Sequence, residues 1–195
     1  MKKYLHIALM LLCVIVVSSC KDDNNDDQKA AELEAYKLEQ DKLFQAKAND
    51  PAYEKWMSEA GDGYVFAKLI KKGEGKKAYY NSLVSVYCKG LLTDGTVFDS
   101  KLFEDGKPST FAVSPYYATT VKDAETGVST TWSSVISGWG VALQHMVEGD
   151  KYEVWIPQQL GYGSTAKEGS IPAYSTLIFE IELVSVDKQA AKANS

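Results

Sequence analysis

From Tyr64 onward, apolar side chains recur at every second position in short runs separated by turn residues, a texture that predicts an antiparallel sheet. The expected strands are 65–70, 83–92, 96–100, 110–113, 152–157 and 176–186, with Thr93-Asp94-Gly95 making the first tight turn. The last run sets Leu177, Phe179, Ile181 and Leu183 on one face and Ile178, Glu180 and Glu182 on the other, so only its first face is expected to be buried. One stretch, 134–146, has helical spacing instead and predicts a single helix lying across the sheet with Trp139, Leu143 and Met146 beneath it. Upstream, residues 28–48 are rich in helix formers, with Leu33, Tyr36, Leu43 and Phe44 about one stripe apart. Asp50-Pro51 then reads as an N-cap and first-turn proline and Gly61 as a stop, predicting a second short helix over 52–60 that carries Tyr53, Trp56 and Met57. The fold class is α+β: a twisted antiparallel β-sheet wrapped on one short α-helix, with an N-terminal helical arm.

The beginning of the chain has a different character. Met1-Lys2-Lys3 followed by an apolar run from Tyr4 to Val17 reads as a secretory signal, shorter than a spanning helix requires. Val17-Ser18-Ser19-Cys20 resembles the lipobox of bacterial lipoproteins, which implies acylation of Cys20; stable anchorage needs two or more acyl chains. The acidic run from Lys21 to Asp27 cannot bury anything and reads as a solvated tether. It is similar to the export tags of some Gram-negative surface lipoproteins, so the expected location is the outer membrane, lipid-anchored, facing the periplasm or the cell surface. Cys13 leaves with the signal and Cys20 is used by lipid, which leaves Cys88 as the one thiol and excludes an intramolecular disulfide.

Charge and chemistry narrow the function further. The formal net charge of −5 becomes −7 once Lys2 and Lys3 are removed, the wrong sign for binding a phosphate backbone, so no nucleic-acid partner is expected. Every basic residue is lysine, so no mechanism can use a guanidinium clamp. The two histidines, His6 in the signal and His145 beside Met146, cannot build a triad or a metal cage, and there is no G-x-S-x-G, P-loop or dinucleotide motif. His145 reads as a structural residue on a helix face.

What remains is an apolar, aromatic set drawn from turns and strand ends. Such a site can still catalyse rotation about an X-Pro amide. The uncatalysed barrier of about 18–20 kcal/mol comes from amide resonance, and a twisted amide loses that resonance and much of its carbonyl polarity. A dry apolar pocket therefore favours the twisted form over the planar, hydrated one, with no cofactor and no metal.

The ordered series Tyr87 to Ser100, Val135-Ile136-Ser137-Gly138-Trp139, Met146-Val147-Glu148-Gly149-Asp150, Ile156-Pro157, Tyr162-Gly163, Ile171-Pro172 and Ser175 to Phe179 resembles an FKBP-type peptidyl-prolyl cis-trans isomerase over about residues 64–186. The resemblance implies an FKBP-like fold in which Trp139 floors a pocket beneath the proline ring and Val135, Ile136, Phe98 and Phe179 form its walls. Tyr162 and the Ile136 backbone N–H would donate to substrate carbonyls, and Asp99 would place a carboxylate near the amide carbonyl. Cys88, Phe111 and Ile171 would contact substrate. The organisation that follows is a signal peptide at 1–19, the lipidated cysteine and tether at 20–27, a helical arm at 28–63, the isomerase-like domain at 64–187 with an inserted loop at 114–134, and a disordered tail at 188–195.

Several positions depart from the family pattern. Cys88 stands where a tyrosine is usual, Ser109 replaces a pocket-edge aromatic, and Lys167 and Ser170 stand where more hydrophobic residues are common. With no arginine, Asp99 must pair with Lys101, Lys107 or neutral donors. Weak binding of the family's macrolide inhibitors follows from these changes. The inserted loop, with Tyr116, Tyr117 and Trp132, enters directly into Val135-Ile136 and reads either as a clamp for client chains or as a surface hairpin without a role. The arm reads either as a device for dimerisation or client holding or as a stalk packed on its own domain. The expected function is prolyl isomerisation in exported polypeptides; the alternative is a non-catalytic peptide-binding or chaperone module of the same fold.

Overall fold

The computed structural model describes residues 24–187 apart from 103–105, 117–118, 123–125, 128 and 168; the expected signal, Cys20 and C-terminal tail lie outside the described residues. The chain divides into two compact units, 1–33 and 34–195. The elements in chain order are α1 (Asn24–Gln45), β1 (Glu54–Met57), β2 (Tyr64–Lys71), β3 (Leu83–Leu92), β4 (Val97–Lys101), β5 (Ser109–Ala112), β6 (Thr119–Lys122), β7 (Ser129–Trp132), α2 (Ser137–His145), β8 (Lys151–Ile156) and β9 (Leu177–Asp187). Among the described residues, no helix is long and apolar enough to cross a membrane.

The sheet is antiparallel throughout, ordered β1-β2-β8-β9-β3-β4, with β5 also paired to β3. β3 is long enough to serve two partners on the same edge: Leu83 to Val86 pair with β5, and Cys88 to Leu91 pair with β4. α2 crosses one face, where Leu143, Met146, Ile156, Leu177 and Leu183 are fully buried, each contributing about 1.5–3 kcal/mol of apolar burial. The approach is close because Gly138 has no side chain: a Cβ there would lie 2.3 Å from Ile156 Cγ2.

Two expectations are corrected. The helix over 52–60 does not form; Glu54–Met57 is instead strand β1, paired with β2 through the Ser58 to Gly63 turn. The tertiary pairing overrides the local helical signal, because Trp56 is 7% exposed, stacks on the His145 ring at 4.8 Å and meets Tyr152 edge-on at 4.7 Å. Asp50 does not cap a helix but accepts the Ala52 N–H in a turn. Helix α1, in turn, starts at Asn24, inside the segment expected to be tether, with Asp26 and Asp27 in a first turn that favours negative charge.

The face of the sheet away from α2 is covered too, which the alternation in β9 did not anticipate. Phe44, from the C-terminal part of α1, is 2% exposed and lies 5.0 Å from the Phe66 ring and 5.5 Å from Tyr64, over a second small core with Trp155 and half-buried Ile178. His145 is where a structural histidine belongs, its Nδ1 2.9 Å from the Val141 carbonyl.

Candidate functional site

The site is built where the β3–β4 turn, the start of α2 and the 161–176 loop converge. In the turn, Leu92 and Thr96 close a hairpin whose left-handed position is taken by Gly95 (φ 88°), and Asp94 accepts the Thr96 N–H at 2.8 Å, which holds its carboxyl below the usual carboxylate range. A register shift between Gly90 and Leu91 re-aims the strand that follows. Phe98 then packs edge-on against Phe179, centroids 5.4 Å apart. Gly90 lies beneath both rings: a Cβ there would sit 2.6 Å from Phe98 and 2.9 Å from Phe179.

At the other side, Ile136 caps α2 in extended conformation, and its carbonyl accepts the Trp139 and Gly140 N–H groups at 3.0 and 3.2 Å. This capping directs Trp139 inward. Its ring meets Phe179 at 5.2 Å and 90° and Phe111 at 5.7 Å and 76°, the edge-to-face arrangement that aromatic quadrupoles favour. Trp139 is 5% exposed, and its indole N–H is buried without any hydrogen-bond partner among the described residues. An unpaired buried donor of this kind is uncommon and costs about 1–3 kcal/mol.

These groups enclose one cavity of about 320 Å³. Trp139, Val135, Ile136 and Phe179 line it together with Phe111, while Asp99 and Tyr162 supply its polar edge. Ser134, which the sequence did not single out, lines it as well. It arrives there because the inserted segment returns onto β5, with the Ala112 N–H donating to Ser133 O at 3.0 Å. β6 and β7 form a hairpin within that insertion.

Three expected contacts fall elsewhere. Phe98 supports Phe179 from outside the lining set. Ile171 is buried and borders a separate cleft with Leu92 and Lys167. Cys88 is 3% exposed and does not reach the cavity, because so short a side chain ends within the core. Burial, and secondarily the Asp99 charge, pushes its thiol up to about 11.

Electrostatically the site is sparse. Asp99 forms no salt bridge among the described residues, so neither Lys101 nor Lys107 replaces the missing arginine. The Tyr162 hydroxyl is raised above its ordinary range by burial first and by the Asp99 charge second, so it stays a neutral O–H donor. Among the described residues no cluster of His, Cys, Asp or Glu that could hold a metal ion is present. The arrangement offers an aromatic hollow with a few polar groups at its rim, the usual design of a small-ligand pocket.

Comparison with known proteins agrees with this geometry. The family model described as FKBP-type peptidyl-prolyl cis-trans isomerase matches residues 74–184. The macrophage infectivity potentiator of Trypanosoma cruzi is 41% identical over 125 residues, covering 64% of this chain and 53% of that protein. The outer membrane protein MIP of Legionella longbeachae is 41% identical over 123 residues, covering 63% of this chain and 44% of that one. The chain thus spans about half the length of these relatives. Among solved structures, a peptidyl-prolyl cis-trans isomerase from Pseudomonas syringae superposes with TM-score 0.61 at 27% identity, covering 80% of this chain and 96% of that one. FkpA from Escherichia coli superposes with TM-score 0.59 at 27% identity, covering 84% of this chain and 63% of that one.

Proposed function

Because the chain belongs to the FKBP-type peptidyl-prolyl cis-trans isomerase family, we propose that it accelerates X-Pro rotation in exported polypeptides while held at the outer membrane by lipid on Cys20. The observation that carries the activity is the cavity lined by Trp139, which brings together seven of the residues expected to act on substrate. A prolyl ring seated on the indole face, walled by Val135, Ile136 and Phe179, leaves the preceding carbonyl at the polar rim. As the amide twists, resonance is lost and the carbonyl no longer needs water, so the apolar walls stabilise the rotated form relative to the planar one. Tyr162, kept protonated by its surroundings, and the Ile136 N–H are the two donors that would orient the substrate carbonyls. Asp99 would place negative charge beside the carbonyl carbon. No cofactor is required.

A non-catalytic peptide-binding module is the second reading, favoured by two observations: Asp99 has no cationic partner among the described residues, and Cys88 contributes no phenol to the pocket. Exchange spectroscopy on an Ala-Xaa-Pro peptide series separates the two. Acceleration by the wild type that is lost in Trp139→Leu supports the isomerase; affinity without acceleration supports the binding module. The anchor rests on the Val17 to Cys20 pattern, and cells labelled with radioactive palmitate should carry label on this protein that disappears in Cys20→Ala. That Legionella longbeachae MIP is named an outer membrane protein is in keeping with the location. Client clamping by the insertion belongs to the same proposal, supported by the placement of Ser134 at the pocket edge, whereas the packing of Phe44 on Phe66 and of Gln40 on Thr176 favours the arm as a stalk packed on its own domain over a device for dimerisation.

A further inference from the structure

Tyr174 has φ of 63°, the only non-glycine residue with positive φ among those described, and for a bulky side chain this conformation is strained. Its N–H donates to the Gly163 carbonyl at 2.8 Å, so this strained residue closes the loop directly onto the turn that carries Tyr162. Something must hold Tyr174 there, and the next two residues show what does. Ser175 Oγ is 2.8 Å from Tyr36 Oη. The Thr176 N–H donates to Gln40 Oε1 at 3.1 Å, and Thr176 Oγ1 donates to the Gln40 carbonyl at 3.2 Å. Lys37 Nζ lies over the Tyr174 ring, 5.1 Å from its centroid. Gln40 is 3% exposed, unusual for this residue type, and Nε2 also reaches Thr93 Oγ1 at 3.0 Å on the β3–β4 turn, the turn that leads to Phe98 and Asp99. One buried amide therefore ties both loops of the pocket to α1.

We propose that Gln40, assisted by Tyr36, is a positioning residue for Tyr162: it holds the 174–176 segment in its strained form, and that segment fixes the Tyr162-Gly163 turn. Residues 36–44 of α1 thereby become part of the machinery of the pocket. This rests on the isomerase reading for its kinetic consequence, and on geometry alone for the ordering of the turn.

The test uses the purified full chain with Gln40→Leu, which keeps the volume but strands the Thr176 N–H, and with Tyr36→Phe, which removes one hydroxyl and leaves the core intact. Amide hydrogen exchange at Tyr174 should quicken by about tenfold or more in Gln40→Leu, and by less in Tyr36→Phe, while core amides of β3 keep their protection. Gln40→Leu should lower kcat on an Ala-Xaa-Pro peptide about tenfold with little change in KM. In a Tyr162→Phe background the same substitution should cost less than about twofold, since the residue it positions has lost its donor. Equal losses in both backgrounds, or unchanged Tyr174 exchange in Gln40→Leu, overturn the proposal. A wild type with no isomerase activity would sink the isomerase reading alone, and the Tyr174 exchange rate would still decide whether Gln40 orders the turn.

Discussion

Replacing Trp139 by phenylalanine sets two effects of similar size against each other. The larger ring is buried, so truncation removes roughly 40 Å² of apolar contact, about 1 kcal/mol, and leaves a gap of some tens of Å³, about another 1 kcal/mol. In the opposite direction, the substitution deletes an indole N–H that is buried with no partner among the described residues, relieving about 1–3 kcal/mol. The edge-to-face contacts with Phe111 and Phe179 remain open to a smaller aromatic ring. Net stability should therefore change by no more than about 1 kcal/mol, read from equilibrium urea unfolding at constant m-value. Activity should behave differently: a floor lowered by part of a ring loses contact with the prolyl group, and kcat/KM should fall about tenfold, the scale for a small misfit in an apolar pocket. A stability loss above about 3 kcal/mol would refute the reasoning, because it would mean that the indole N–H is well satisfied in solution and that the pocket floor is wet.

Three further outcomes are expected. Gly90→Ala places a Cβ 2.6 Å from Phe98 and 2.9 Å from Phe179, both ring atoms packed against other rings, so it should destabilise by about 1–3 kcal/mol in thermal or urea unfolding and also reduce activity. Because the Cys88 thiol is raised from an ordinary 9.0 to about 11 in the folded chain, its contribution is fully present below pH 9 and is lost as pH rises toward 11; melting temperature should fall across that window, and less steeply in Cys88→Ala. Replacing the 116–132 segment by a short linker should leave peptide turnover within about twofold while slowing action on a prolyl-limited protein substrate; rates unchanged from the wild type on both substrates would remove the clamp.

Much of this architecture is written in local patterns. β3 and the alternation of Leu177, Phe179, Ile181 and Leu183 could be read directly, because a strand with one face on a core shows its period of two. The pocket was legible for the same reason: its residues lie at turns and element starts that have their own signals, such as Asp94-Gly95 and the glycine at 138. What stayed hidden depends on contacts distant in sequence. Trp56 sits at helical spacing from Tyr53, yet it is a strand residue because Val65 pairs with it and His145 and Tyr152 enclose it. In α1 the stripe that counts is Tyr36, Gln40 and Phe44, at four-residue spacing; Leu33 and Leu43 share the apolar pattern but are exposed. A glutamine in the middle of such a stripe was the one available sign of a buried polar link. Cys88 was placed in the pocket by analogy of position, and side-chain length decides otherwise.

The central claim is that a prolyl ring rests on the Trp139 indole in the cavity it shares with Phe179 and Tyr162. The most direct measurement is intermolecular nuclear Overhauser contact between the proline ring protons of an Ala-Xaa-Pro peptide and assigned side chains of the protein, recorded under conditions where exchange of the same peptide is accelerated. Contacts to Trp139 and Phe179 are expected, and none to Ile171 in the separate cleft. Acceleration accompanied by proline contacts in the Leu92 and Ile171 cleft, with none to the indole, would contradict it.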